Sequence, residues 1–166
     1  MAMNKKRNQS GVFLLEALIA ILIFSLGILG MVAMGGTAIA SQSDAQHRTE
    51  AANFASDIAA KIALNVDRTN PASVAAFSHL PTIGGYCNFT GAVATNPVVL
   101  DWVDRVRGAV AGVPGLPGAT STSESVLVET GAAFNKVTVT VCWKPPSTSA
   151  TPLAPWHRHV LVSYIN

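Results

Sequence analysis

Between Val12 and Ala40 the chain is almost wholly apolar and carries a single charged side chain, Glu16. As a helix this run would rise about 43 Å at 1.5 Å per residue, more than the roughly 30 Å of hydrocarbon in a bilayer. An ionised group inside a membrane costs on the order of a few kcal/mol, and less near its edge. Leu or Ala would serve a plain anchor better. A glutamate five residues after Gly11 therefore asks for a partner of its own.

The 166 residues leave room for one ordinary domain plus an appendage. Beyond Ala40 the composition is that of a small soluble domain rich in Ala, Thr, Val and Pro. The formal charge is +2, and its placement matters more than its sum. Lys5, Lys6 and Arg7 precede the apolar run; without residues 1–11 the balance is eight basic residues against nine acidic. Nothing downstream forms the basic stripe that a nucleic-acid partner requires.

A short positive segment ahead of an apolar helix keeps the N-terminus cytoplasmic and sends the following domain across the membrane. Cys87 and Cys142 fit an exported domain, which meets an oxidising compartment. Paired, they would close a loop of about 55 residues, contributing about 4 kcal/mol in the chain-entropy description. The alternative is two buried free thiols.

Three readings account for the first forty residues. A signal anchor leaves Glu16 unexplained. A signal peptide cleaved after Ala38–Ala40 has the small-x-small pattern, but its apolar core would be about twice the usual length. The third reading uses the whole stretch "KKRNQSGVFLLEALIAILIFSLGILG", a basic leader ending in Gly11 before an apolar run with Glu16 as its fifth residue. This resembles the class III signal of type IV pilins and of type II secretion pseudopilins. The resemblance implies cleavage by a prepilin peptidase between Gly11 and Val12 and N-methylation of Val12. A flexible glycine lets the backbone enter a protease site extended. The freed amine of Val12 would be cationic, and a carboxylate four residues along a helix lies one turn away. In the family this pairing is made between neighbouring subunits, which makes Glu16 an assembly residue. Many members begin with Phe and a small polar residue, where this chain has Val12 and Phe13.

Helical spacing continues past the apolar run, with Ala51, Phe54, Ile58 and Ile62 at steps of three and four. Asp44–Arg48 and Asp57–Lys61 are acid-before-base pairs one turn apart. A single helix is expected from about Phe13 to Asn65, ended at "DRTNP" by Pro71. Gly27, Gly30, Gly35 and Gly36 admit two readings, close helix packing or a helix that loosens on leaving the bilayer. Residues 70–100 read as loops. Asn96 and Pro97 start a short helix whose apolar face is Val99, Trp102, Val103, Val106 and Val110, ended by "VPGLPG". "ESVLVET", "NKVTVTVCW" and "HRHVLVSYI" are strands, joined by a turn around Gly131 and a Pro/Ser-rich loop. Three strands in a row suggest an antiparallel sheet packed on the long helix.

No catalytic constellation can be assembled. His157 and His159 share one side of a strand but make no metal site alone. His47 and His79 have no motif around them, and there is no G-x-S-x-G, P-loop or H-E-x-x-H. Trp102, Trp143 and Trp156 read as core or interface residues. The chain reads as a component without catalytic groups, metal or cofactor.

Within the superfamily the chain is similar to the PilV family of type IV pilus modification proteins, on "GVFLLEALIAILIFSLGILG", the Trp102 helix leading into "GLPG", and "VTVTVCW". The resemblance implies an α+β, pilin-like fold: a leader over 1–11, a spine helix over 12–66 of which 12–40 is the membrane or filament part, and a sheet-bearing head over 67–166. It implies a minor pilin that primes pilus assembly with other minor pilins and the major pilin, and helps present a tip adhesin of the PilY type. It places the subunit first in the inner membrane, head in the periplasm, and then in the pilus. A minor pseudopilin of a type II secretion system shares these features. A secreted periplasmic binding module cleaved after Ala40 is the rival from another class. A DNA-uptake pilin would want a basic head, which this chain lacks.

Overall fold

The structure, a computed structural model, describes residues 10–67, 70–131, 134–145 and 155–165. Lys5–Arg7, most of the Pro/Ser-rich loop and part of the turn after Gly131 lie outside them. Helix α1 (Ser10–Asn65) runs 56 residues without interruption, starting a turn earlier than its periodicity suggests. The chain divides into two units, one ending at Gln42 and the other beginning at Ser43.

The first unit is the apolar stretch of α1. Its aliphatic residues point outward all round, from Val12 and Phe13 to Met34 and Ile39. The hydroxyls it contains are satisfied within the helix: Ser25 Oγ donates to the Leu22 carbonyl and Thr37 Oγ1 to that of Met34, both at 2.9 Å. Such back-bonding is how a helix carries Ser and Thr where water is absent. The helix passes through all four glycines, and beyond their chain neighbours and the helix's own backbone no described atom lies within 4 Å of where their Cβ atoms would be.

In the second unit the rest of α1 presents Ala51, Ala55, Ile58 and Ile62, all fully buried, to a sheet. That sheet is antiparallel, with strands β3 (Glu124–Glu129), β4 (Asn135–Trp143) and β5 (His157–Ile165) in that order. Alternation on β4 sends Val137, Val139, Val141 and Trp143 into the core. Helix α2 (Pro97–Val106) closes the same core with Val99, Trp102, Val103 and Val106. The Trp102 indole N–H donates to the Phe54 carbonyl at 2.8 Å, tying α2 to α1. Both acid-before-base pairs form, Asp44–Arg48 at 2.8 Å and Asp57–Lys61 at 3.1 Å.

Two expectations need correction. Helix α2 does start at the Asn96 cap, whose side chain accepts from the Val98 N–H at 2.9 Å. It ends at Val106, however, and Val110 falls in the turn beyond. The chain leaves the helix through Gly108 at φ +72°, and the Leu116 N–H returns to cap the Val106 carbonyl at 2.8 Å. Gly108 and Gly115 approach so closely that a Cβ on Gly115 would lie 2.2 Å from the Gly108 nitrogen. The stretch 70–100 is also more ordered than a loop. It holds a 3₁₀ turn (Pro71–Phe77) that buries Val74 and Phe77, and a small hairpin, β1 (Thr82–Gly85) with β2 (Asn88–Thr90).

The hairpin carries a second, smaller core of Leu80, Cys87, Phe89 and Cys142, with Trp156 against it. Cys142 lies on the opposite side of β4 from its valines. This cluster therefore lies on the outer face of the sheet, at the Cys142 end of β4.

Candidate functional site

Val12 and Glu16 stand one turn apart on α1 and line the same shallow groove, with Leu15, Ile19 and Ile23 around them. Val12 is exposed, as is the Glu16 carboxylate, which has no hydrogen-bond or ion-pair partner among the described residues. The geometry is that of one carboxylate on an apolar rod, open to a cation from outside the chain. Gly11 lies immediately before this face, within α1. A stretch of this helix is long and apolar enough to cross a membrane.

Cys87 and Cys142 form the disulfide, with Cα atoms 5.8 Å apart. The bond fastens the hairpin to β4. Cys87 has φ +57°, a left-handed conformation that a non-glycine residue adopts at some cost in energy.

The histidines are distributed in structural roles. His157 and His159 do face one side of β5, the core side, opposite Trp143 and Val141. His157 Nδ1 lies 2.9 Å from Asp44 Oδ1, at ion-pair distance without the alignment of a hydrogen bond, and its ring stands edge-on to Trp143. His47 contacts Glu50 within α1. Among the described residues there is no group of three His, Cys, Asp or Glu side chains that could hold a metal. Trp102 and Trp143 are buried in the main core, and Trp156 lies against the second one, with the Lys144 ammonium 4.6 Å over its ring.

Two buried polar groups carry no signal in the sequence. Glu124 is fully buried on the core side of β3; Ser123 Oγ donates to its Oε1 at 3.0 Å while Oε2 is left unpartnered. Burial pushes its carboxyl up to about 8, so that it is protonated at neutral pH. His79 accepts from the Ala94 N–H at Nδ1, and burial lowers its pKa. Its backbone forms a two-bond bridge with Val126, each N–H to carbonyl distance 2.9 Å, along the outer edge of β3. Only the polar character of these residues could have marked them, and polar residues are usually exposed.

No family model, no curated protein and no solved structure matches this chain.

Proposed function

We propose that this chain is a minor pilin of a type IV pilus, a structural subunit that acts by packing and performs no catalysis. One observation supports the reading above the others: Glu16, a carboxylate with no partner among the described residues, shares an exposed apolar groove with Val12 one turn away. A plain anchor has no use for it. In the proposed cycle, prepilin peptidase cuts between Gly11 and Val12 and leaves a cationic amine on Val12. The head, oxidised at Cys87–Cys142, folds in the periplasm while α1 stays in the inner membrane. Assembly transfers the helix from lipid to a bundle of other pilin helices, with little change in apolar contact. The bundle differs from lipid by offering Glu16 an amine, a charge-assisted pair in a low-dielectric setting. Register then follows from electrostatics, because a one-turn slip leaves both charges unpaired and desolvated. The partners in this reading are other minor pilins, the major pilin and a tip adhesin of the PilY type.

The test is Glu16→Ala in the full chain. The variant should insert and be processed as the parent does, yet join the minor-pilin complex poorly and lower the number of pili. Normal pilus number with normal incorporation would contradict the mechanism.

A further inference from the structure

Charge is spread unevenly over the head. Residues 71–100 include no Asp, Glu, Lys or Arg, and within them the β1–β2 hairpin exposes Ile83 and Tyr86. Both line a cleft of about 380 Å³ beside the disulfide, together with Phe89, Thr140 and Arg158. The Arg158 guanidinium lies 5.5 Å from the Tyr86 ring. Lys144 stands over Trp156, which packs on the same small core. Neither cation has a carboxylate partner among the described residues. Exposed Ile and Tyr beside such cations, on a hairpin without acids, suit the polar layer of a bilayer. Aromatic rings settle at headgroup level, and guanidinium and ammonium groups bind lipid phosphates.

The position of this patch in the fold is a second, independent observation. Cys142 pairs with Arg158, and Trp143 with His157, in the last two rows of the β4–β5 ladder, so the patch sits at one end of the sheet. At that end His157 Nδ1 lies 2.9 Å from Asp44 Oδ1. Asp44 is four residues past Ala40, where the apolar run of α1 ends, and four residues of chain span at most about 14 Å. Chain length alone therefore keeps the patch within reach of the point where a membrane-spanning stretch emerges from lipid. The other end of the sheet also exposes aromatic rings, Phe134 and Tyr164, but these stand edge-on to each other beside the Lys136–Glu129 ion pair. Tyr164 is about 20 Å along β5 from Arg158.

We infer that this end of the head is a lipid-binding surface: Ile83 and Tyr86 enter the interfacial layer at the Ala40 end of the helix, while Arg158 and Lys144 bind the phosphates of anionic lipid. The head rests on the bilayer that holds α1 and is freed when the helix leaves it. The inference rests on α1 spanning a membrane and not on the role of Glu16.

The experiment places the full chain in bilayer nanodiscs of phosphatidylcholine and phosphatidylglycerol in equal parts. Amide signals are recorded with a spin label on the lipid headgroup and, separately, deep in the acyl chain. The headgroup label should broaden residues 83–86 and Arg158 several-fold more than Lys136 and Tyr164, and less so in phosphatidylcholine alone. Ile83→Glu combined with Tyr86→Glu, both at exposed positions, should leave the disulfide-linked fold intact and bring the broadening of Arg158 down to that of Lys136. Broadening of Arg158 that survives both substitutions, or a patch broadened no more than the rest of the head, overturns the inference. So do shifts at Ile83 and Tyr86 that follow protein concentration without lipid broadening, which would assign the patch to a second copy. The acyl-chain label separates this inference from the reading it rests on. A broadened Leu22 with an unbroadened patch leaves α1 in the membrane and removes only the lipid-binding surface, whereas an unbroadened Leu22 removes both.

Discussion

The two halves of α1 are one helix with two surfaces. From Val12 to Ile39 it exposes Leu, Ile, Phe and Met on every side. From Ala51 to Ile62 it buries a narrow stripe of Ala and Ile, and its Asp57 and Lys61 lie half-buried beside Arg105 and Asp101 of α2. Each half is stable for a different reason. The back half gains from removing apolar area from water, at roughly 25 cal/mol per Å². The front half finds no such burial among the described residues, and its apolar surface is long enough to cross a membrane. The difference teaches that in the front half a single polar residue carries information, whereas in the back half it is the apolar residues that do.

That contrast can be broken from the packed side. Trp102→Ala removes a fully buried indole and the bond from α2 to the Phe54 carbonyl, and should destabilise the head by about 3–5 kcal/mol in chemical denaturation. Replacing both Cys87 and Cys142 with Ser frees a loop of 55 residues. The expected loss is about 4 kcal/mol by chain entropy, read as a fall in the denaturation midpoint that reducing agent reproduces in the parent. A change well below 1 kcal/mol in either would show that the head's core is not where its stability lies.

A smaller effect is the pH profile. Glu124 ionises at about 4.5 when unfolded and at about 8 when folded. The folded state therefore holds a proton that the unfolded state has lost, and stability falls as pH rises between those values, by about 1.4 kcal/mol per pH unit at most. His79 works in the other direction. Its folded pKa lies below the ordinary 6.5, so stability is lost as pH falls below that value. Just below pH 6.5 the two oppose each other, and above it the loss through Glu124 continues unopposed up to about pH 8. Glu124→Gln should flatten that limb. An unchanged slope in the variant would remove Glu124 as its cause.

The smallest expected effect sharpens the comparison from the other side. Leu22→Ala, in the exposed front half, should leave the unfolding of the head within about 0.5 kcal/mol of the parent. Ile58→Ala, the same kind of truncation in the back half, should cost about 2–5 kcal/mol.

Much of this was legible in the residues, and the exceptions have a common physical origin. The long helix, α2 and the three strands of the sheet follow from periodicity, because each is long enough to show a repeat. The β1–β2 hairpin and the 3₁₀ turn are too short to have one; their order comes from burying Phe89 and Phe77 and from the disulfide. Helix α2 stops short of Val110 because the distant Leu116 N–H caps it and two glycines meet, neither of which apolar spacing encodes. At the candidate site, Glu16 stood out because its surroundings are uniform. Glu124 and His79 did not, since in a mixed segment a buried acid looks like any surface acid until the fold encloses it.

The central claim, that the front half of α1 belongs to the mature protein as an assembly surface keyed by Glu16, is most directly tested by the intact mass and first residue of the mature chain from piliated cells. The account predicts a chain that begins at Val12, retains the whole apolar helix and is one methyl group heavier than its sequence. A chain beginning at Ser41 would mean that this helix is discarded on export, and would contradict the role assigned to Glu16.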